Sequence, residues 1–506
     1  MDPDPQPEPV QPAEGVTDAE RYLAKLCRRS FLSLWSYPGV FRDQGRTDGK
    51  GDGKEVCDLL VVFDNHIIIF SDKDCHFQDG INLRVAWARW FKKAVLASAK
   101  QVWGAERWIR DYPTRLFLDR KCTKPFPINL PKPDKAIFHR IVVAHDASRA
   151  CKSVCGGSGS LMLDNTIVGD VHVYSRPFTI GRLDAVRGYV HVFDDTSLDI
   201  VMTTLDTISD FTAYLAKKEK FLTGERKVLA AGEEELLAVY LAKLNKSKEH
   251  DFVIKESYDG VVFTEGHWKS FVSSPERQAQ IEWDRISYLW DSLIEKFAHH
   301  VMTGTQYFGG DRPLRDQESG FRFLAREPRT RRRMLAASFM EVLEKSRTAK
   351  LWDARVMPPL DTRFPYYVFL FFRREPGPTD EEYRNRRAHL LTAYCEVTKL
   401  MHPRAIDIIG IATEAGLLAE RSEDFLYLNA RDWTAADDQQ AKETQDALGI
   451  LKSVTTESGR EYEYPVDQEG ELRRTTGLSR NSPCWCGSGL RYKRCHGRGK
   501  FGRESN

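Results

Sequence analysis

The chain has 506 residues, 41% of them hydrophobic and 29% charged, which excludes a disordered chain and exceeds what one ordinary core accommodates. Its 75 Lys and Arg against 73 Asp and Glu leave a net charge of +2, so any argument for a polyanionic partner must be local. No apolar run approaches the roughly 20 residues of a membrane span. Ten cysteines without a secretion signal point to a reducing, cytoplasmic setting and to metal rather than disulfides.

Residues 1–16 are acidic and Pro-rich, the opposite of a signal peptide, and are expected to be a disordered tail. Thr17-Asp18-Ala19-Glu20 has the form of a capping box, and a helical pattern follows through Trp35. The Gly- and Asp-rich loop at 43–55 lacks a GK[ST] ending, so a phosphate-cradling loop is rejected. Residues 57–74, CDLLVVFDNHIIIFSDKD, read as a buried β-hairpin turning at Asp64-Asn65.

The polar ends of this hairpin raise a question of register. A two-residue turn sets Asp58 opposite Ser71, with Lys73 on the same face; a three-residue turn sets Asp58 opposite Asp72 and turns Lys73 away. Either register brings an acid of one strand beside polar groups of the next.

Asn82 to Arg110 repeats apolar residues at helical spacing. A proline-studded connector at 123–135 leads to the strand AIFHRIVVAH. CKSVCGGSGS (151–160) reads as a flexible loop, GYVHVF (188–193) as a strand, and TSLDIVMTTLDTISDFTAYLAKKEKFL as one long amphipathic helix. Together these predict an α/β domain over 17–222. A second, mixed α/β region follows at 226–465, with strands at YYVFLFF and IDIIGIA. There His299-His300 and Arg331-Arg332-Arg333 read as a solvated helix surface.

Residues 482–497, SPCWCGSGLRYKRCHG, place Cys484, Cys486, Cys495 and His496 at a spacing that suits tetrahedral Zn²⁺. The stretch resembles the SEC-C motif, found at the C-terminus of the SecA translocation ATPase and appended to many unrelated bacterial proteins. It departs from that pattern at Trp485, a slot often held by Pro. The resemblance implies a small zinc knuckle and association with a protein partner. From 472 to 503 there are nine Lys and Arg and no acid, which suits nucleic acid as a partner.

The helix, hairpin and following helix resemble the core of PD-(D/E)xK nucleases, and so imply a restriction-endonuclease-like α/β domain. The resemblance implies Asp58 as a metal-binding acid and Lys73 as the residue that positions the attacking water. It matches Glu20 to the acid on the first helix and Gln101 to the glutamine after the lysine. Ser71 stands where the family has Asp or Glu, with Asp72 one place off. The implied function is Mg²⁺- or Mn²⁺-dependent phosphodiester hydrolysis, in a setting such as defence against foreign DNA. The alternative is an inactive nuclease-like or SEC-C adaptor protein.

Overall fold

The capping box forms at the start of the first helix, α1 (Asp18–Phe31). Thr17 Oγ1 accepts the N–H of Glu20, and the Glu20 carboxylate accepts the N–H of Val16 at 2.6 Å. The computed structural model describes residues 14–46, 50–305, 314–348, 351–416, 421–456, 462–464, 491 and 494. They fall into two units, Met1–Arg277 with Ala298–Glu318, and Gln278–Phe297 with Ser319–Asn506.

In the first unit α1 stops at Phe31 rather than reaching Trp35, because Leu32 takes a positive φ of 66°. An unexpected strand, β1 (Ser36–Arg42), follows. The expected hairpin is β2 (Lys54–Phe63) and β3 (His66–Lys73). Phe63 faces His66 across a two-residue turn in which Asp64 has φ 51°, so the three-residue register is not adopted. The predicted helix after it is one run in three parts: α2 (Leu83–Trp90), a π-helical turn (Phe91–Leu96) and α3 (Ala97–Asp111).

Beyond the connector come β4 (Ile137–Ala144), α4 (Ser148–Cys155), β5 (Met162–Val168), β6 (Thr179–Arg182) and β7 (Val190–Phe193). The first half of the expected loop at 151–160 is thus helical. The single long helix expected next is two, α5 (Asp195–Thr204) and α6 (Ile208–Thr223), because Thr207 caps the second by accepting the N–H of Asp210. Then follow β8 (Lys227–Ala230), α7 (Glu233–Ala242), β9 (Gly260–Phe263), α8 (His267–Ser273) and α9 (Pro275–Asp284).

The main sheet has the order β1-β2-β3-β4-β7, antiparallel through β3 and parallel from β3 to β7. Neighbouring residues of a strand point to opposite faces. Ser71 bonds Gln101 of α3, and Asp72 lies close enough to Cys27 of α1 to raise its thiol pKa, after burial. Hence α1 and α3 cover opposite faces. A second sheet, β6-β5-β8-β9, pairs Leu163 with Ala230, so the boundary expected at 222–226 falls inside the first unit.

Chain order continues with α10 (Tyr288–Thr303), α11 (Leu314–Arg326), α12 (Arg329–Lys345), β10 (Trp352–Met357) and β11 (Tyr366–Phe372). It ends with α13 (Asp380–Met401), β12 (Asp407–Glu414), β13 (Glu423–Asn429) and α14 (Ala435–Leu448). The sheet of the second unit is β10-β11-β12-β13, with β11 and β12 parallel through the crossover helix α13. Val368, Leu370, Leu391, Cys395 and Ile408 fill its core.

The expected solvated run is buried instead. Arg331, Arg332 and Arg333 are 2%, 0% and 3% exposed, and Arg332 meets Asp291 at 2.6 Å and the carbonyl oxygens of Glu327 and Ala325. Acids on other helices and free carbonyls let the guanidinium groups leave water.

Candidate site at the open end of the hairpin

The β2–β3 ladder runs from Phe63↔His66 to Leu59↔Phe70 and then stops. The N–H of Asp72, which a continued ladder would direct to the main chain of β2, donates instead to Asp58 Oδ2 at 2.6 Å. Continuing the register sets Asp58 opposite Ser71, whose Oγ donates to Gln101 Oε1 at 3.1 Å. Asp58, Ser71 and Gln101 therefore meet at one strand end. Lys73, two residues after Ser71, shares its face by alternation, is exposed, and makes no ion pair among the described residues. Asp58 and Lys73 are not simply paired with each other.

Asp72 points the other way, toward α1. Its Oδ1 meets His145 Nε2 at 2.7 Å, and His145 Nδ1 meets Asp195 Oδ1 at 2.6 Å. Asp195 Oδ2 accepts the N–H of Asp146, and Asp146 Oδ2 accepts that of Phe77 and meets His76 Nδ1. The second oxygen of Asp72, Oδ2, is buried without a hydrogen-bond partner. Glu20 serves the helix cap, yet its charge still reaches Asp58.

Electrostatics tie these groups together. Burial, then the neighbouring charges of Glu55, Asp72 and Glu20, push Asp58 up to about 7 against the opposing N–H of Asp72. Glu55 rises for the same first reason, with Glu20 adding to it. Burial opposes protonation of His145, but the carboxylates of Asp195 and Asp72 outweigh it and raise the imidazole to about 10. The strand end thus holds a surplus of negative charge, partly relieved by one imidazolium.

Sequence reasoning missed Glu55, His145 and Asp195. A signal existed for two of them: His145 directly follows the buried strand β4, and Asp195 opens the helix after β7. Polar groups at the carboxyl ends of parallel strands are where α/β sheets place their chemistry.

Among the described residues no group of three or more His, Cys, Asp or Glu is placed to hold a metal ion. Two carboxylates suffice where a Mg²⁺ ion also takes substrate phosphates. Asp58 and Asp72 supply two carboxylates at this strand end, but they project from opposite faces of the sheet. Cys484, Cys486, Cys495 and His496 lie outside the described residues, as does the N-terminal tail to residue 13. No helix among the described residues is long and apolar enough to cross a membrane.

Comparison with known protein families matches the SEC-C motif to residues 480–498, so the chain carries this zinc-binding type of motif at its C-terminal end. The chain is 27% identical over 118 residues to protein translocase subunit SecA 1 of Nitrosospira multiformis. That match covers 23% of this chain and 12% of that protein, so the chain spans a small part of the relative's length. No solved structure matches the chain.

Proposed function

We propose that the first unit is a metal-dependent nuclease and that the SEC-C segment is a zinc knuckle recruiting nucleic acid or a protein partner. The observation that carries the reading is the meeting of Asp58, Ser71 and Gln101 at the parted end of β2 and β3. The element order supports it: a helix, three antiparallel strands, a helix, and a strand parallel to the third.

In this reading Asp58 would hold a hard divalent cation, which when bound would supply positive charge for the scissile phosphate. Glu55 and Glu20 keep the site negative enough to attract the cation. Lys73 holds the attacking water and faces the charge that develops on the phosphate, while Gln101 and Ser71 fix the floor beneath it. Ser71 leaves this metal site one acid short of the pattern it resembles. Asp72, turned to the other face and held by His145, is not a substitute ligand in this reading; its charge adds to the negative field at Asp58. Zn²⁺ binds separately through Cys484, Cys486, Cys495 and His496.

Cleavage of single- and double-stranded DNA and RNA with Mg²⁺ or Mn²⁺ tests the nuclease. Lys73→Ala and Asp58→Ala are each expected to leave a folded, inactive protein. A wild-type protein inert on every substrate with both metals would decide for the adaptor alternative. Metal analysis tests the knuckle, since the double change Cys484→Ser, Cys486→Ser is expected to remove bound zinc.

A further inference from the structure

The helical run α2–π–α3 has 8, 6 and 15 residues, a ridge about 40 Å long at roughly 1.5 Å per residue. Its solvent side is strongly basic. Between Leu83 and Asp111 the sequence carries seven Lys and Arg against Glu106 and Asp111, and all seven cations are exposed. Glu106 is already held by Arg140 and Arg110.

Three of the cations are engaged locally. Arg89 reaches Gln78, Lys92 lies over the Tyr174 ring, and Arg110 pairs with Glu106. The other four, Arg84, Lys93, Lys100 and Arg107, have no ion-pair partner among the described residues. Lys93, Lys100 and Arg107 follow at seven-residue spacing and so share one side of the helix; such a line matches a polyanion with regularly spaced charge. The ridge also carries Gln101 and so passes directly beside the hairpin end.

The aromatic residues of the same run decide which polyanion. Trp87, Trp90, Phe91 and Trp108 are buried. Trp103 is covered by Arg187 and bonded to the carbonyl of Gly188. No ring of the run is free to stack on an unpaired base, which is what a single-strand groove requires. A duplex, whose bases are already stacked, needs only its phosphates met.

We infer that Lys93, Lys100 and Arg107 form a docking ridge for the phosphate backbone of a nucleic-acid duplex, running beside the Asp58–Gln101 site. The inference deepens the nuclease reading, on which its choice of ligand rests. It also gives the first unit a binding surface independent of the basic C-terminal segment.

The test is anisotropy of full-length protein on a DNA duplex of about 30 base pairs, across a salt series without added divalent metal. The triple variant Lys93→Gln, Lys100→Gln, Arg107→Gln is expected to flatten the log–log salt slope by about 2.7, at about 0.9 per phosphate contact. Neutralising Lys243, Lys246 and Lys255 to Gln instead should leave the slope unchanged. An unaltered slope in the first variant, or an equal loss in the second, overturns the ridge. Tighter binding of the matching single strand overturns the choice of a duplex. Because no cleavage is read, a wild-type protein that binds through the ridge but cuts nothing sinks the nuclease reading alone.

Discussion

Both units bury charge, and they do it in opposite ways. In the second unit the cations of α12 are answered by Asp284, Asp291 and main-chain carbonyls. In the first, the acids at the strand ends are less fully answered: Asp72 and Asp195 share one imidazolium, Asp58 has the N–H of Asp72, and Asp72 Oδ2 has no hydrogen-bond partner. A cation answered by internal acids and carbonyls is architecture. A surplus of one sign, kept at the end of a sheet, is what the proposed cation site would require. The Arg331–Arg333 run reads from the sequence as a solvated helix surface, yet the structure leaves it almost no surface at all.

The comparison breaks most sharply at Arg332. Replacing it with Ala leaves Asp291 to Arg329 alone and strips two buried carbonyls of their donor, and is expected to cost about 3–5 kcal/mol in chemical denaturation. Duplex binding by the remaining folded protein should not change. Part of that cost should grow as pH rises through about 7, because burial pushes Glu327 up to about 7 and Arg332 is one of the charges that favour its ionised form.

His145→Gln is expected to cost about 3 kcal/mol at pH 6, because two carboxylates lose the same cation. Here the pH dependence differs. The folded value near 10 lies above the ordinary 6.5, so the imidazolium's contribution is complete below about 6.5 and disappears as pH rises through 10. Denaturation curves of wild type and variant should therefore converge at alkaline pH. Parallel curves would mean that His145 acts by packing alone.

The smallest effect has the opposite sign. Asp58 is raised to about 7, so its charged form is disfavoured by folding. Asp58→Asn should stabilise the first unit by about 1–2 kcal/mol at pH 8 and by little at pH 4, while cleavage is lost. A variant that gains stability as it loses activity is the expected mark of a site held under electrostatic strain. A variant destabilised at both pH values would show that the Asp58–Asp72 hydrogen bond matters more than the repulsion.

Much of this was legible in the residues. The turn pair Asp64-Asn65, the Thr17–Glu20 cap and the β-branched runs around them act over a few positions, and each is present as read. β1 was hidden because Pro38 and Gly39 are strand breakers, tolerated here because β1 lies at the sheet edge. The burial of Arg331–Arg333 was hidden because their partners on other helices are about 40–50 positions away. His145 was missed for a similar reason: Asp72 and Asp195 lie 73 and 50 positions from it. Local chemistry reads from a sequence; a charge's partner across the fold does not.

The pairing of β5 with β8, and of β8 with β9, sets an order of events during synthesis. A chain emerging from the ribosome at roughly 5–20 residues per second has its hairpin and main sheet long before Gly260 exists. β5 keeps a bare edge until Lys227–Ala230 emerges, and β8 until Gly260–Phe263 does, each a template for joining another chain. Even after β9 the unit is incomplete, because Ala298–Glu318 returns to it after an excursion of twenty residues, Gln278–Phe297, into the second unit. The nascent protein therefore passes through a window in which its first unit is shaped but not sealed. A fragment cut at 222 would remain in that window permanently.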